Sequence, residues 1–268
     1  MNQVKLATRT IDMGGGRCLV LTECGRGSPT VVLETGLGAE SEEWSAVQAM
    51  LAPRARVCRY DRAARGASDA APQPRSALDL VEDLRALLLR ADLMPPYVLV
   101  GHSFGGLLVR LFAHCHPEHV AALVLVDAMH EDQFDVFAPT FPPPRPDEPG
   151  GLTETREFWT RGWRDWHSTQ EGLDLVASCA QAREIDSLGD LPMHVLSAGT
   201  FLTQPLIPEA VRPRLQALWD ELQLRLARLS TRSTHSMVID AGHFLQREAA
   251  HQVAAAVAGM VERVRSGK

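Results

Sequence analysis

No stretch of the 268 residues approaches the roughly 18 uninterrupted apolar residues that a membrane-spanning helix needs. The opening residues 1–10, MNQVKLATRT, carry no apolar core of the kind a signal peptide shows, so a cytoplasmic location is expected. There is no basic run or stripe to serve as a nucleic-acid footprint. With 27 Lys+Arg against 33 Asp+Glu, the net charge of −6 is too mild to call for a charged partner. The five cysteines, Cys18, Cys24, Cys58, Cys115 and Cys179, are odd in number, irregularly spaced and form no CxxC pair. They are expected as free thiols in a reducing compartment rather than as a disulfide framework. No internal repeat is present. What remains, 45% hydrophobic and 22% charged residues, is the composition of an ordinary globular chain with enough length for a large core.

The first half alternates strand-like and helix-like runs. Residues 5–11 and 17–22 read as two strands around the Gly14-Gly15-Gly16 turn, an antiparallel hairpin. Short apolar runs at 30–34, 55–60, 97–100 and 120–126 read as buried strands. Helical spacing is expected over 42–51, 76–93 and 104–114; in the second of these Leu78, Val81, Leu84 and Leu88 form the apolar face. Strands that alternate with helices need crossover connections, hence a mostly parallel sheet covered on both faces, and the fold class is α/β. The pattern breaks after Asp127. Six prolines crowd residues 139–149, two helices are expected over 152–167 and 170–185, and β character resumes only at 193–197. An insertion of this length between strands usually serves as a lid or cap. The division expected is a core of 1–127 and 192–268 with an inserted helical lid of 128–191. A long helix with Val211, Leu215, Leu218, Leu222, Leu226 and Leu229 in register, a strand at 235–239 and a closing helix at 247–265 complete the chain.

The strongest chemical signal is Gly101-His102-Ser103-Phe104-Gly105, directly after one strand and directly before a helix. A G-x-S-x-G pattern gains its value from that context: a sharp strand-to-helix turn lifts the serine hydroxyl over the carboxyl edge of the sheet, where open α/β sheets bind ligands. The glycines allow the close approach the turn requires.

Here the chain closely resembles the α/β-hydrolase superfamily, over nearly its whole length. YVLVGHSFGG at 97–106 is similar to that family's nucleophile elbow. Tyr60-Asp61-Arg62 with Gly66 and Ser68-Asp69 resembles the loop after its fourth strand. His116-Pro117-Glu118-His119-Val120 resembles the turn into its sixth strand, and Ala241-Gly242-His243-Phe244 its histidine loop. The resemblance implies a sheet of about eight strands, Ser103 as nucleophile and His243 as its base. It implies an oxyanion hole made by the backbone N–H groups of Phe104 and Leu37, although Thr35-Gly36 stands where members often carry His-Gly. The family usually places the triad acid after the seventh strand, but the sequence from Ser197 to Gln204 has no carboxylate there. A smaller set places it after the sixth, where Asp127 ends an apolar strand. Asp127 is therefore the expected acid, with Glu131, Asp132 and Glu209 as rivals; His235 is the alternative base. Serine at the elbow argues against the dehalogenase and epoxide-hydrolase branches, which use aspartate there. The expected activity is hydrolysis of a small carboxylic ester through an acyl-enzyme, without cofactor or metal. C–C hydrolases, lactonases, perhydrolases, acyltransferases and slow-turnover receptors sharing the triad remain open.

Trp159, Trp163 and Trp166 follow i, i+4, i+7 spacing, which would align three of the five tryptophans on one helix face. They serve either as packing for the lid or, with Phe134, Phe137 and Phe141, as an apolar wall over Ser103. Gly36, His102 and Phe244 are further candidates for the pocket, although the ring of His102 should turn away from Ser103. Arg54, Arg56, Arg59, Arg62 and Arg65 read mostly as solvated surface, with Arg62 able to face the pocket. His114, Cys115, His116 and His119 read as favourable partners of a helix C-terminus rather than as metal ligands.

Overall fold

The computed structural model describes residues 5–148, 150–200, 209 and 211–267. In chain order the strands are β1 (Ala7–Gly14), β2 (Arg17–Cys24), β3 (Thr30–Glu34), β4 (Arg56–Tyr60), β5 (Tyr97–His102), β6 (Val120–Val126), β7 (Met193–Ala198) and β8 (Ser233–Val238). The helices are α1 (Ser45–Leu51), α2 (Ala77–Arg90), α3 (Phe104–Cys115), α4 (Gln133–Phe137), α5 (Gly150–Thr160), α6 (Leu175–Arg183), α7 (Arg212–Ala227), α8 (Leu245–Glu248) and α9 (Ala250–Ser266). One sheet of eight strands runs β1-β2-β4-β3-β5-β6-β7-β8. The hairpin β1–β2 and its junction with β4 are antiparallel, and the five remaining pairings are parallel. The expected α/β class and mostly parallel sheet describe the molecule.

Central strands β3, β5 and β6 are almost wholly buried because helices cover both faces. Val32, Leu99, Leu123 and Leu125 point to the side of α2, α3 and α6; Val31, Val98, Val100 and Val124 point to the side of α1, α7 and α9. Helix α2 starts at a capping box in which Ser76 and Asp79 satisfy each other's backbone N–H. Its buried face is Leu80, Val81, Leu84, Leu87 and Leu88, whereas Leu78, expected on that face, is exposed.

The inserted segment departs from expectation. In place of two long helices it folds as α4, α5 and α6 joined by short 3₁₀ turns at Gly162–Arg164, Trp166–Ser168 and Gln170–Gly172. Helix α5 stops at Thr160, two residues before Gly162, so the three tryptophans do not share a helix face. Trp163 is buried and stacks flat on Phe134, ring centroids 4.5 Å apart. Trp159 is half-buried between Phe134 and Phe137. Trp166 stacks on its neighbour His167, also outside the core. Phe134, Trp163, Leu173, Leu175, Cys179 and Ile185 all belong to the core cluster of the sheet's α3 side. The segment is thus packed against the sheet's covering layer. All five cysteines are free thiols. Among the described residues, no helix is long and apolar enough to cross a membrane.

The different surroundings of the tryptophans predict different costs. Trp163→Ala should destabilise the protein by about 3–5 kcal/mol through lost burial and a cavity, and Trp166→Ala by about 0.5 kcal/mol or less. Urea unfolding of the two variants checks this; equal losses would place Trp166 in the core.

Candidate active site

The chain turns from β5 into α3 at Ser103, whose backbone sits at φ 52°, ψ −122°. A non-glycine residue takes a positive φ only where its surroundings impose it. Here the Ser103 N–H donates to Val126 O (3.2 Å), and the Ser103 carbonyl accepts from the N–H groups of Gly106 (2.9 Å) and Met129 (2.8 Å). The turn is therefore bolted to β6 and the chain beyond it. A Cβ at Gly105 would lie 2.5 Å from Thr35 O, and one at Gly106 2.3 Å from Ala128 Cβ, so α3 approaches the sheet only because these positions are bare. Phe104 is buried as the first residue of α3, where the N–H has no carbonyl partner within the helix.

Beside Ser103, the chain leaving β6 turns sharply at Asp127, again with positive φ (43°). Aspartate tolerates this conformation better than most residues. Its carboxylate is fully buried and accepts three hydrogen bonds: Oδ1 from Ala198 N (2.8 Å) and Trp219 Nε1 (2.7 Å), and Oδ2 from His243 Nδ1 (2.6 Å). With Nδ1 facing a carboxylate, the neutral imidazole carries its proton there, and Nε2 is its acceptor nitrogen. The rivals are engaged elsewhere: Glu131 pairs with Arg110 (2.9 Å), Asp132 with Arg183 (2.9 Å), and Glu209 is exposed. His235 bonds Ser197 Oγ (2.8 Å) from within β8. The loop after β7 lies outside the described residues from 201 to 208, so its expected lack of a carboxylate neighbour for His243 finds no description there.

His102 is buried and does not line an open pocket. Gln246 Nε2 donates to its Nδ1 (3.1 Å), which places the ring proton on Nε2, and Nε2 donates to the His243 carbonyl (2.8 Å). Gln246 is itself held by Glu43 Oε2 (3.0 Å). The His102 ring lies 4.6 Å from that of His243 and 5.6 Å from that of Phe244, which is half-buried. Burial, and then the neighbouring His243, hold the His102 pKa well below its ordinary value against the smaller effect of the carbonyl bond.

On the other side of Ser103 runs the loop Thr35-Gly36-Leu37-Gly38. Gly36 packs so closely that a Cβ there would stand 3.3 Å from Ser103 Cβ and 3.1 Å from His102 Nδ1. Arg59 and Arg62, read from sequence as mostly solvated, are both buried. Arg59 bonds Gln48 Oε1 (2.8 Å), Ser41 and Glu42. Arg62 does not face a pocket; it lies under this loop, between Glu34 and Glu171. Glu34, Glu171, Trp219 and Gln246 escaped the sequence reading. Glu34 left one signal, a charge closing the apolar run TVVLE, and Trp219 another, at i+4 from Leu215 along α7.

The histidines at the far end of α3 come closer than helix geometry suggests. After Pro117 the chain forms a 3₁₀ turn, Pro117–His119, which stacks the ring of His119 on that of His116 at 5.9 Å. His116, Glu118 and His119 thereby bring one ligand atom each within 4.8 Å of one another, although His116 Nε2 already bonds Glu82 (3.0 Å). A cavity of about 1010 Å³ lined by Lys5, Glu23, Arg26, Arg56 and Asp92 also lies away from Ser103, at the opposite edge of the sheet.

The strand order and this strand–turn–helix elbow are those of the alpha/beta hydrolase fold. A family model described as alpha/beta hydrolase fold matches residues 29–170, and the chain belongs to that family. The Bacillus subtilis (strain 168) protein YqjL is 28% identical over 253 residues, covering 93% of this chain and 89% of that protein. The efuK protein of Hormonema carpetanum is 30% identical over 191 residues, 63% of this chain but only 27% of that protein. Among solved structures, a thermophilic esterase from Thermogutta terrifontis superposes with a TM-score of 0.65 at 20% identity, covering 96% of this chain and 99% of that one. A haloalkane dehalogenase variant from Bradyrhizobium elkanii does so with a TM-score of 0.70 at 14% identity, covering 99% and 98%. At such identities the likeness concerns the fold alone.

The buried neutral His102 makes stability depend on pH. In the unfolded chain this imidazole protonates near the ordinary 6.5, but in the folded protein only well below that. Stability is therefore present above pH 6.5 and falls as the pH drops towards the folded-state value, by up to about 1.4 kcal/mol per pH unit for one proton. His102→Gln should flatten the urea midpoint between pH 6.5 and 5 relative to the parent protein. An identical slope in the variant would show that His102 titrates normally.

Proposed function

We propose that the protein is a serine hydrolase acting on a small carboxylic ester through an acyl-enzyme, with Ser103, His243 and Asp127 as its triad. The observation that carries this reading is the 2.6 Å contact between His243 Nδ1 and the buried Asp127 carboxylate, beside a serine held in a strained strand-to-helix turn. A serine hydroxyl is a weak nucleophile until a base removes its proton. His243 takes that proton at Nε2 as Ser103 Oγ attacks the carbonyl, and Asp127 stabilises the imidazolium and fixes its tautomer. The negative charge that forms on the carbonyl oxygen is met by the N–H groups of Phe104 and Leu37. The imidazolium then protonates the leaving alcohol, and a water activated by the same base releases the acid.

Serine at position 103 separates this reading from the dehalogenase and epoxide-hydrolase chemistry that other proteins of the fold perform. Partly buried Trp159, backed by the fully buried Phe137, lies on the side of Trp219, whose ring is 6.2 Å from that of His243, and supplies an apolar flank for the substrate's non-reacting part. Residues 128–191 then act as the lid, in the cytoplasmic enzyme that composition suggests.

The test is turnover of a nitrophenyl ester series together with labelling by a fluorophosphonate probe. Ser103→Ala should abolish both in a folded protein. Asp127→Asn should keep the fold and lower kcat by about 10⁴-fold, as loss of the correct tautomer does in serine proteases. Unchanged kcat in Ser103→Ala would end the proposal. Labelling with near-zero turnover across the series would instead indicate a ligand receptor.

A further inference from the structure

Glu34, Arg62 and Glu171 share one water-excluded site, with side chains 1%, 1% and 2% exposed. They come from the end of β3, the chain just after β4, and the inserted segment. Arg62 uses its whole guanidinium edge. Nε donates to Glu171 Oε2 (2.8 Å); Nη1 to Glu34 Oε1 (2.5 Å), Thr35 O (2.8 Å) and Thr35 Oγ1 (3.0 Å); Nη2 to Glu171 Oε1 (2.6 Å) and Gly36 O (2.6 Å). Tyr60 OH donates to the other oxygen of Glu34 (2.6 Å).

The bond to Gly36 O has a geometric consequence. The carbonyl of Gly36 and the N–H of Leu37 belong to one planar trans peptide and point in opposite directions. A guanidinium that grips the carbonyl turns the Leu37 N–H away from itself, in a loop whose Gly36 packs against Ser103. A cation on the carbonyl also polarises the amide and strengthens the N–H as a donor. The next peptide is fixed as well: Gly38 N–H donates to Glu171 Oε1 (2.6 Å). Glu171 adopts φ 68°, a left-handed conformation imposed by its surroundings, and Gly172 follows at φ 62°. The loop carrying the expected oxyanion donor is thus clamped from below by Arg62 and from the inserted segment by Glu171.

We propose that Arg62 and Glu171 are positioning residues that aim the Gly36–Leu37 peptide at the reacting carbonyl, and that Glu171 makes the oxyanion site complete only when the inserted segment is seated. The catalytic consequence rests on the serine-hydrolase reading; the clamping of the loop does not. Glu171→Gln keeps the shape and an acceptor for Gly38 N–H but removes the charge, whereas Glu171→Ala removes both. Three measurements on the full chain decide: kcat and KM on a nitrophenyl ester with their pH profile, affinity for a trifluoromethyl ketone that forms a tetrahedral oxyanion on Ser103, and hydrogen exchange of a peptide covering residues 35–39. In Glu171→Ala kcat and ketone affinity should fall in parallel by about 100-fold, and in Glu171→Gln by about 10-fold, with KM within about 3-fold. The pH profile should not move, because the His243–Asp127 contact is untouched, and exchange over 35–39 should rise. If Glu171→Ala does not fold, the same comparison in Glu171→Gln decides.

Unchanged exchange over 35–39 in a folded variant would overturn the proposal whatever the activity. So would a loss confined to KM with ketone affinity intact, since Glu171 would then only shape the pocket. A parent protein that neither turns over esters nor reacts with a fluorophosphonate, yet exchanges faster at 35–39 once Glu171 is replaced, would retain the clamp and reject the hydrolase reading.

Discussion

The backbone of Ser103, held at φ 52° between β5 and α3, is the constraint to which the surrounding structure is fitted. Serine has no intrinsic preference for this conformation, so the strain is supported by its neighbours. Hydrogen bonds from the turn to Val126, Gly106 and Met129 hold it against β6 and the chain that follows. Close packing at the turn then fixes two further features. Gly105 brings α3 against the carbonyls of Glu34 and Thr35, which places the Thr35–Gly38 loop on one flank of Ser103. Gly106 brings it against Ala128, which places the Asp127 turn on the other. Both flanks of the site thus follow from the absence of a Cβ at two consecutive positions.

Each flank carries a buried charge, and the two are stabilised differently. Asp127 is solvated by three donors, a backbone N–H, an indole and an imidazole, so protein dipoles replace its lost water. Arg62 is instead paired with two carboxylates and two backbone carbonyls. Burial raises the Glu34 carboxyl pKa, and repulsion from Glu171 adds to it despite the opposing pull of Arg62 and Tyr60. Burial also acts to raise that of Glu171, but the charge and hydrogen bonds of Arg62 outweigh it and leave the net shift downward. Glu171 is the partner supplied by the inserted segment. Removing one member of such a cluster leaves its partner charged and dry, which is why buried ion pairs are costly to break even where they add little net stability.

Much of this architecture is legible in the sequence because strands and turns are local. The apolar runs at β3, β5 and β6, the triple glycine of the hairpin and the G-x-S-x-G turn each declare themselves within ten residues. Asp127 stands out as a carboxylate ending a strand of seven apolar residues. The tryptophan spacing misleads because periodicity defines a face only while a helix continues, and α5 ends before Trp163. Arg62 misleads for a different reason. Its burial depends on Glu171, 109 residues away, and no pattern near an arginine reveals a counter-charge that distant. Leu78 is a smaller case: the buried stripe of α2 begins at Ala77, one residue earlier, and Leu78 lies off it.

The fold alone leaves the chemistry open, since an esterase and a dehalogenase superpose on this chain about equally well. Under the proposed reading, the proton inventory of the residue at the elbow narrows it. A carboxylate at the elbow could attack carbon without losing a proton, and a histidine nearby would be needed only for the later hydrolytic step. A serine must lose a proton to attack, and the leaving group must then gain one, so a single base has to act in both directions within one turnover. That demand fits an imidazole whose Nδ1–H is fixed by a fully buried carboxylate with its other oxygen already engaged by Ala198 and Trp219, because such a carboxylate cannot rotate to offer a competing acceptor. The His102–Gln246–Glu43 chain acts on the same residue from the other side, holding the His243 backbone carbonyl. Under the proposed chemistry the imidazole is thus restrained at its carboxylate and at its backbone while its Nε2 carries protons between Ser103 and the leaving group.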